Sequence, residues 1–162
     1  MPCHAGVDRA VRTEALGMED RSILDSQITA SSIWNSGYRV ANGRLNFKQP
    51  SGKFESWSAL SNDLNEWLQD NFQRVTLITK IGTQGRNDAN QFVKSYTISF
   101  SREGKCFSNY TQGDAIKPGN NDHNTTVHQT VIPHISARFI RLHPTAWENH
   151  ISMRVEFYGC SV

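Results

Sequence analysis

The chain has 162 residues, a formal net charge of +2 and 37% hydrophobic residues, with eight Phe, four Trp and four Tyr. That is the length of one domain and enough apolar material for one core, which excludes a disordered chain. The balanced charge excludes a strong field steering the protein toward nucleic acid, and no apolar run reaches the roughly 18 residues of a membrane-spanning helix.

The opening "MPCHAGVDRAVRTEALG" is polar, has no periodicity and lacks the continuous hydrophobic stretch of a secretory signal. Either such a signal has been removed or the protein never had one. Residues 1–14 are expected to form a flexible leader and 15–162 the folded domain. Gln27–Ala30 reads as a short strand. From Ser31 to Asn65 the sequence is loop-rich, with isolated aromatics among Asn, Ser, Gly and Pro; a stretch of that kind is normally functional or hides short strands.

Strand signals strengthen after that. "EWLQDNF" sets Trp67 and Leu68 among polar residues. "RVTLITKIGTQG" alternates Val75, Leu77, Thr79 and Ile81 before stopping at Gly82, and "VKSYTISFS" alternates Tyr96, Ile98 and Phe100. "TTVHQTVI" and "ARFIRLHP" read as two further strands, the second ended by Pro144. The last, "HISMRVEFYG", sets Met153, Val155 and Phe157 against Arg154, Glu156 and Tyr158. Short strands broken by Gly and Asn turns, with no long helix, predict an antiparallel sandwich or barrel.

Local motifs for catalysis and metals are weak. The sequence has no Gly-x-Ser-x-Gly elbow, phosphate-cradling Gly loop or paired carboxylates at a strand end. His123 and His128, and likewise His143 and His150, lack the spacing that sets two ligands on one helical face, and read as surface histidines. "GNNDHNTT" is oxygen-rich but lacks the Asp-x-Asp-x-Asp-Gly order of a dedicated calcium loop. It reads as a polar turn. There is no CxxC pair among Cys3, Cys106 and Cys160, and three cysteines allow at most one internal disulfide. Cys106 reads as a reduced, partly buried filler. Asn109-Tyr110-Thr111 and Asn124-Thr125-Thr126 are sequons, which matter only on a secretory route.

Seven phrases in order carry a resemblance: "ALGMEDRSILDSQITASS", "GRLN", "WLQ", "VTLITKIGTQGR", "FVKSYTISFSREGKCF", "ARFIRLHPTAW" and "ISMRVEFYGC". Together they resemble the discoidin, or coagulation factor V/VIII type C (F5/8 type C), domain from about Ala15 to Cys160. The resemblance implies an all-β, antiparallel, jelly-roll-like sandwich with galactose-binding-like architecture, its ligand-binding loops gathered at one end. It also implies a bond between the last cysteine and one just before the "LGM" phrase. Here the nearest upstream cysteine is Cys3, so the implied bond is Cys3–Cys160. The alternative is a free Cys160 thiol.

By resemblance, three loops meet at one end: about Ile33 to Asn42, Asn46 to Trp57 and Gln84 to Gln91. They carry Trp34, Tyr38 and Phe54 together with Arg39, Lys48, Lys53, Arg86, Asn87 and Asp88, and Arg44 lies between the first two. Trp57, Trp67 and Trp147 read as structural. Arg86 reads equally as a ligand contact or as a pin for its own loop through Asp88 or Glu55.

The implied function is a non-catalytic extracellular recognition and cell-adhesion module for cell-surface or matrix glycans. An anionic lipid surface, phosphatidylserine included, and a protein partner are the alternatives. Capture of a peptide's C-terminal arginine, as in neuropilin-like relatives, is disfavoured because the gripping acid falls at Asn62. No cofactor is expected. A structural calcium ion stays open, because some relatives hold one.

Overall fold

The computed structural model describes Cys3 and residues 14–162. Apart from Cys3 and Glu14, the expected leader lies outside the described residues. Eight strands follow one another: β1 Ile28–Ala30, β2 Trp57–Ser58, β3 Leu68–Gln84, β4 Phe92–Ser101, β5 Ser108–Asn109, β6 Lys117–Pro118, β7 Val127–Glu148 and β8 Ser152–Ser161. Two 3-10 turns, Asp25–Gln27 and Val40–Gly43, complete the regular structure of the described residues.

The strand ladders are antiparallel and form one sheet, in the order β2-β8-β3-β7-β4-β5, with β1 added to β3 and β6 to β4. β3 and β7 are long, at 17 and 22 residues, and both serve two layers. Their mutual register shifts between Asn71 and Thr76. Before the shift β3 pairs with β1; after it, with β8. The irregularity lets the sheet curl over on itself, so the layer β1-β3-β7-β4 packs on the layer β2-β8-β3-β7. The result is the expected jelly-roll-like sandwich.

The two layers enclose one core, in which Met18, Trp57, Ile78, Ile81, Tyr96, Ile140 and Phe157 are sealed from solvent. Trp57 donates its indole N–H to Ser32 O at 2.9 Å, and Trp147 packs against the core edge, as structural residues. Trp67 lies on the surface under the Arg141 guanidinium.

The structure corrects several expectations. The Val75/Leu77/Thr79/Ile81 alternation is broken by a second irregularity between Ile78 and Lys80. Ile78 and Ile81 are both fully buried, while Val75 and Leu77 are half-buried. Pro144 does not end a strand. β7 runs through it, because the register against β4 shifts beside it and a residue without an N–H is tolerated at such a bulge. "TTVHQTVI" and "ARFIRLHP" are therefore parts of one strand. In β8 the supposed outward residues Arg154 and Glu156 are each 1% exposed, because loops cover that face. Cys106 is exposed rather than partly buried. Cys3 and Cys160 are bonded, with Cα atoms 5.2 Å apart, and this closes 157 residues of sequence separation.

Pairings fix where the connections meet. Gln84 opposes Arg154, Thr83 opposes Val127, and Phe92 opposes Glu148. One end of the sandwich therefore gathers the ends of β3 and β7 with the starts of β4 and β8. The disulfide, the bends of β3 and β7 and the β4–β5 turn lie at the other end.

Candidate functional site

At the first end the three expected loops are joined to one another by side chains. Asn42 Nδ2 donates to Gly37 O at 3.2 Å and to Phe54 O at 2.8 Å, which ties the first loop to the second. Phe54 adopts a left-handed backbone, φ 58°, and its ring lies on Gly37. A Cβ added at Gly37 would sit 2.9 Å from ring carbons, so no larger residue fits without moving Phe54.

Glu55 links the second loop to the third. Its amide donates to Asp88 Oδ1 at 3.2 Å, its Oε1 accepts from Asn87 Nδ2 at 2.9 Å, and its Oε2 accepts from the Gln49 amide at 2.6 Å. The third loop is closed by the Arg86 amide donating to Gln91 O at 2.9 Å.

An aromatic cluster lies over this framework. Trp34 stacks on His150, with centroids 3.7 Å apart and planes 10° apart, and on Tyr38 at 5.2 Å. Tyr38 meets Phe54 edge-on at 5.1 Å, and the Arg86 guanidinium lies 5.2 Å from the Tyr38 centroid. Trp34 is 36% exposed, whereas Tyr38 and His150 are buried. The exposed indole therefore rests on a fixed aromatic bed. A stacked aromatic pair contributes about 0.5–1.5 kcal/mol beyond area burial.

Arg86 is pinned within its own loop. Nε and Nη2 donate to the two carboxylate oxygens of Asp88 at 2.7 and 2.8 Å, and Nη1 donates to Gln91 Oε1 at 3.1 Å. The Asp88 hydrogen bonds raise the Arg86 pKa further. Burial pushes the Asp88 carboxyl up, but the Arg86 guanidinium and the Glu55 amide outweigh it and hold the group below the usual carboxylate range.

His150 donates Nε2–H to Ala59 O at 2.7 Å and accepts at Nδ1 from Asn62 Nδ2 at 3.2 Å, which is the neutral tautomer. Burial and the nearby Arg86 charge lower its pKa, against the opposing Ala59 hydrogen bond. Asn62 Oδ1 also accepts from the Ile151 amide at 2.9 Å. Asn62 thus serves the loop framework.

The expected set is only partly united. Trp34, Tyr38, Phe54, Arg86, Asn87 and Asp88 form one connected group. Tyr38 supports it from beneath the surface instead of facing ligand. Arg39 leaves the group: its guanidinium pairs with Asp25 at 3.3 Å, beside the buried Arg44, which holds the same carboxylate at 2.7 Å and Met18 O at 2.8 Å. Arg44 contributes no exposed charge. Lys48 and Lys53 are exposed on the second loop and make no ion pair among the described residues.

Glu55, offered as a partner for Arg86, instead bonds Gln49 and Asn87, and His150 is buried rather than a surface histidine. The sequence could not show these placements and missed Gln91, because the partners are distant in the chain. It also missed Arg154, which lies buried under the loops. Arg154 donates to Gly85 O, Phe47 O, His123 O and Asn124 Oδ1 between 2.6 and 3.3 Å. "GNNDHNTT" folds as the polar turn expected of it. Asp122 accepts from the Asn124 amide and from the amide and hydroxyl of Thr125. Among the described residues no three His, Cys, Asp or Glu side chains converge in a metal-binding group.

A family model described as F5/8 type C domain matches residues 27–157. Coagulation factor VIII of Canis lupus familiaris is 36% identical over 152 residues, covering 90% of this chain and 6% of that protein. Lactadherin of Bos taurus is 35% identical over 157 residues, covering 91% and 37% respectively. The solved structure of recombinant discoidin II of Dictyostelium discoideum superposes with a TM-score of 0.76 at 34% identity, covering 83% of this chain and 55% of that one. The chain thus spans a small part of the first relative, over a third of the second and about half of the third. The chain belongs to the F5/8 type C domain family.

Proposed function

We propose that this chain is a non-catalytic extracellular recognition domain whose loop pole binds a glycan. The observation that carries this reading is the exposed Trp34 indole, fixed on buried His150 and Tyr38 beside the Arg86–Asp88 pair. An indole face held rigidly gives a pyranose an apolar, π-rich surface for its C–H face. The neighbouring amides and charges supply the few directed polar groups that orient a sugar. Because these groups are already held by one another, little side-chain entropy is lost on binding. The Cys3–Cys160 bond fits an oxidising, extracellular setting.

A glycan array probed with the wild-type chain and with Trp34→Ala tests this. Sugar-dependent signal that falls by at least about tenfold in the variant supports the reading, on the scale of a lost stacking anchor. No signal above background, or equal signal from both chains, would refute it.

One observation favours a second reading, an anionic lipid surface. The 59–66 segment beside Trp34 exposes Leu60 and Leu64, at 59% and 68%, and Lys48 and Lys53 are exposed on the second loop. Apolar tips above cations suit such an interface. Sedimentation with phosphatidylserine vesicles that weakens with salt supports it; equal recovery with neutral vesicles counts against it.

A further inference from the structure

Away from the loop pole, the outer face of β3, β7 and β4 carries stacked cations. Arg141 lies opposite Gln69 on one side and Ser99 on the other. Its Nε donates to Gln69 Oε1 at 2.8 Å, and its guanidinium stacks against Trp67 at 4.0 Å and Phe107 at 3.9 Å. Phe107 meets Phe139 edge-on. Arg138 lies 4.9 Å from the Phe139 centroid and donates from Nε to Asn71 Oδ1 at 3.3 Å.

The β4–β5 turn folds down on the same surface. A Cβ added at Gly104 would sit 2.8 Å from the Phe139 ring, so the turn backbone lies directly on that ring. This brings the exposed Arg102 and Lys105 alongside, and Arg102 Nη2 donates to Ser136 Oγ at 3.3 Å. Among the described residues no carboxylate forms an ion pair with any of these four cations. Glu103, in the same turn, is exposed and accepts at Oε1 from the amides of Lys105 and Cys106 and the hydroxyl of Ser101.

We propose that this face is a second binding surface, for a linear sulfated polysaccharide. Stacked guanidinium groups are held in place as planar forks, suited to bidentate capture of sulfate oxygens. Arg141, Arg138 and the Arg102–Lys105 turn follow one another toward the disulfide end, a row that suits a repeating polyanion. The aromatic rings are spent on the cations and leave no apolar tip for a bilayer. The disulfide-bonded setting and balanced overall charge favour a matrix polysaccharide over nucleic acid. The proposal is independent of what binds at the loop pole.

Heparin affinity chromatography of the full chain, with calorimetric titration of a heparin oligosaccharide, tests it. The chain should be retained, with an affinity that falls as salt rises, as screening and counterion release require of any polyanion. Arg102→Glu/Lys105→Glu alters two exposed side chains without disturbing the stack, and should weaken binding by at least about tenfold. Arg21→Glu/Lys94→Glu makes the same change in net charge elsewhere and should change it by less than about twofold. Absence of retention, equal losses in the two double variants, equally tight binding of desulfated heparin or single-stranded DNA, or phosphatidylserine-vesicle binding that is lost in Arg102→Glu/Lys105→Glu would each overturn the proposal.

Discussion

At Asp70 the register of β3 turns a carboxyl inward between Leu68 and Phe72. Both oxygens are buried without a hydrogen-bond partner among the described residues. Burial and the Glu156 charge push its pKa well above the usual range, against a smaller opposing effect of Arg44. The folded protein therefore keeps this proton, while the unfolded chain loses it as pH rises through about 4. Stability falls as pH climbs from there toward the folded-state value. Asp70→Val should stabilise the domain at pH 7 by about 1–3 kcal/mol, the cost of an unpaired buried polar group. Urea unfolding at pH 4 and pH 7 checks this, and the gain should be larger at pH 7. His150 behaves in the opposite sense. Its depressed pKa means that the unfolded chain takes a proton first as pH falls below the ordinary value of 6.5, so stability is lost below that pH. Protonation also places a charge under the Trp34 ring and removes the acceptor for Asn62. Tryptophan fluorescence should drop with a midpoint below 6.5, and the drop should be absent in Trp34→Phe. Neither group was legible in the sequence. Asp70 sits in a polar-looking "QDN" run, and His150 resembles any surface histidine until the fold brings Trp34 onto it.

Among the elements, β4 was readable because Tyr96, Ile98 and Phe100 keep strict alternation with no bulge between them. β3 was not, because the shifts between Asn71 and Thr76 and between Ile78 and Lys80 each reset which face is inward. β1 and β2, at three and two residues, are too short to leave a periodic trace in the loop-rich stretch. β8 misled differently: its alternation is real, but both faces are covered, one by the opposite layer and the other by loops. Arg154 is the result of that covering. Burial lowers its pKa to about 10, against the attraction of Glu55 and Asp88, and it remains charged at neutral pH. Arg154→Leu leaves three carbonyls and the Asn124 side chain without their shared donor. It should cost about 3–5 kcal/mol, with faster amide exchange in residues 84–91 and 121–125. Arg154→Lys should recover only part of this, because a compact ammonium cannot reach four spread acceptors. Exchange unchanged in both loops would show that they do not depend on this clamp.

For the molecule as a whole, the family resemblance carried both the sandwich and the gathering of three loops at one end. What it could not supply was how the loops hold one another through Asn42 and Glu55. Those contacts depend on the specific residues of this chain. The Cys3–Cys160 bond, implied by that resemblance, closes nearly the entire chain. Cys160→Ser should destabilise the domain by about 2–5 kcal/mol in denaturant unfolding. In the native protein one thiol per chain, Cys106, should react with a labelling reagent, and three should react after reduction and unfolding.

The same bridge has a mechanical consequence. A pull applied at residue 3 and residue 160 passes from one sulfur to the other, and the sandwich between them bears no load. On the order of 500 Å of extended chain is hidden behind that one bond. Stretched between these two points, the domain behaves as a short inextensible link. Once a reductant cuts the bridge, the strands themselves must carry the tension.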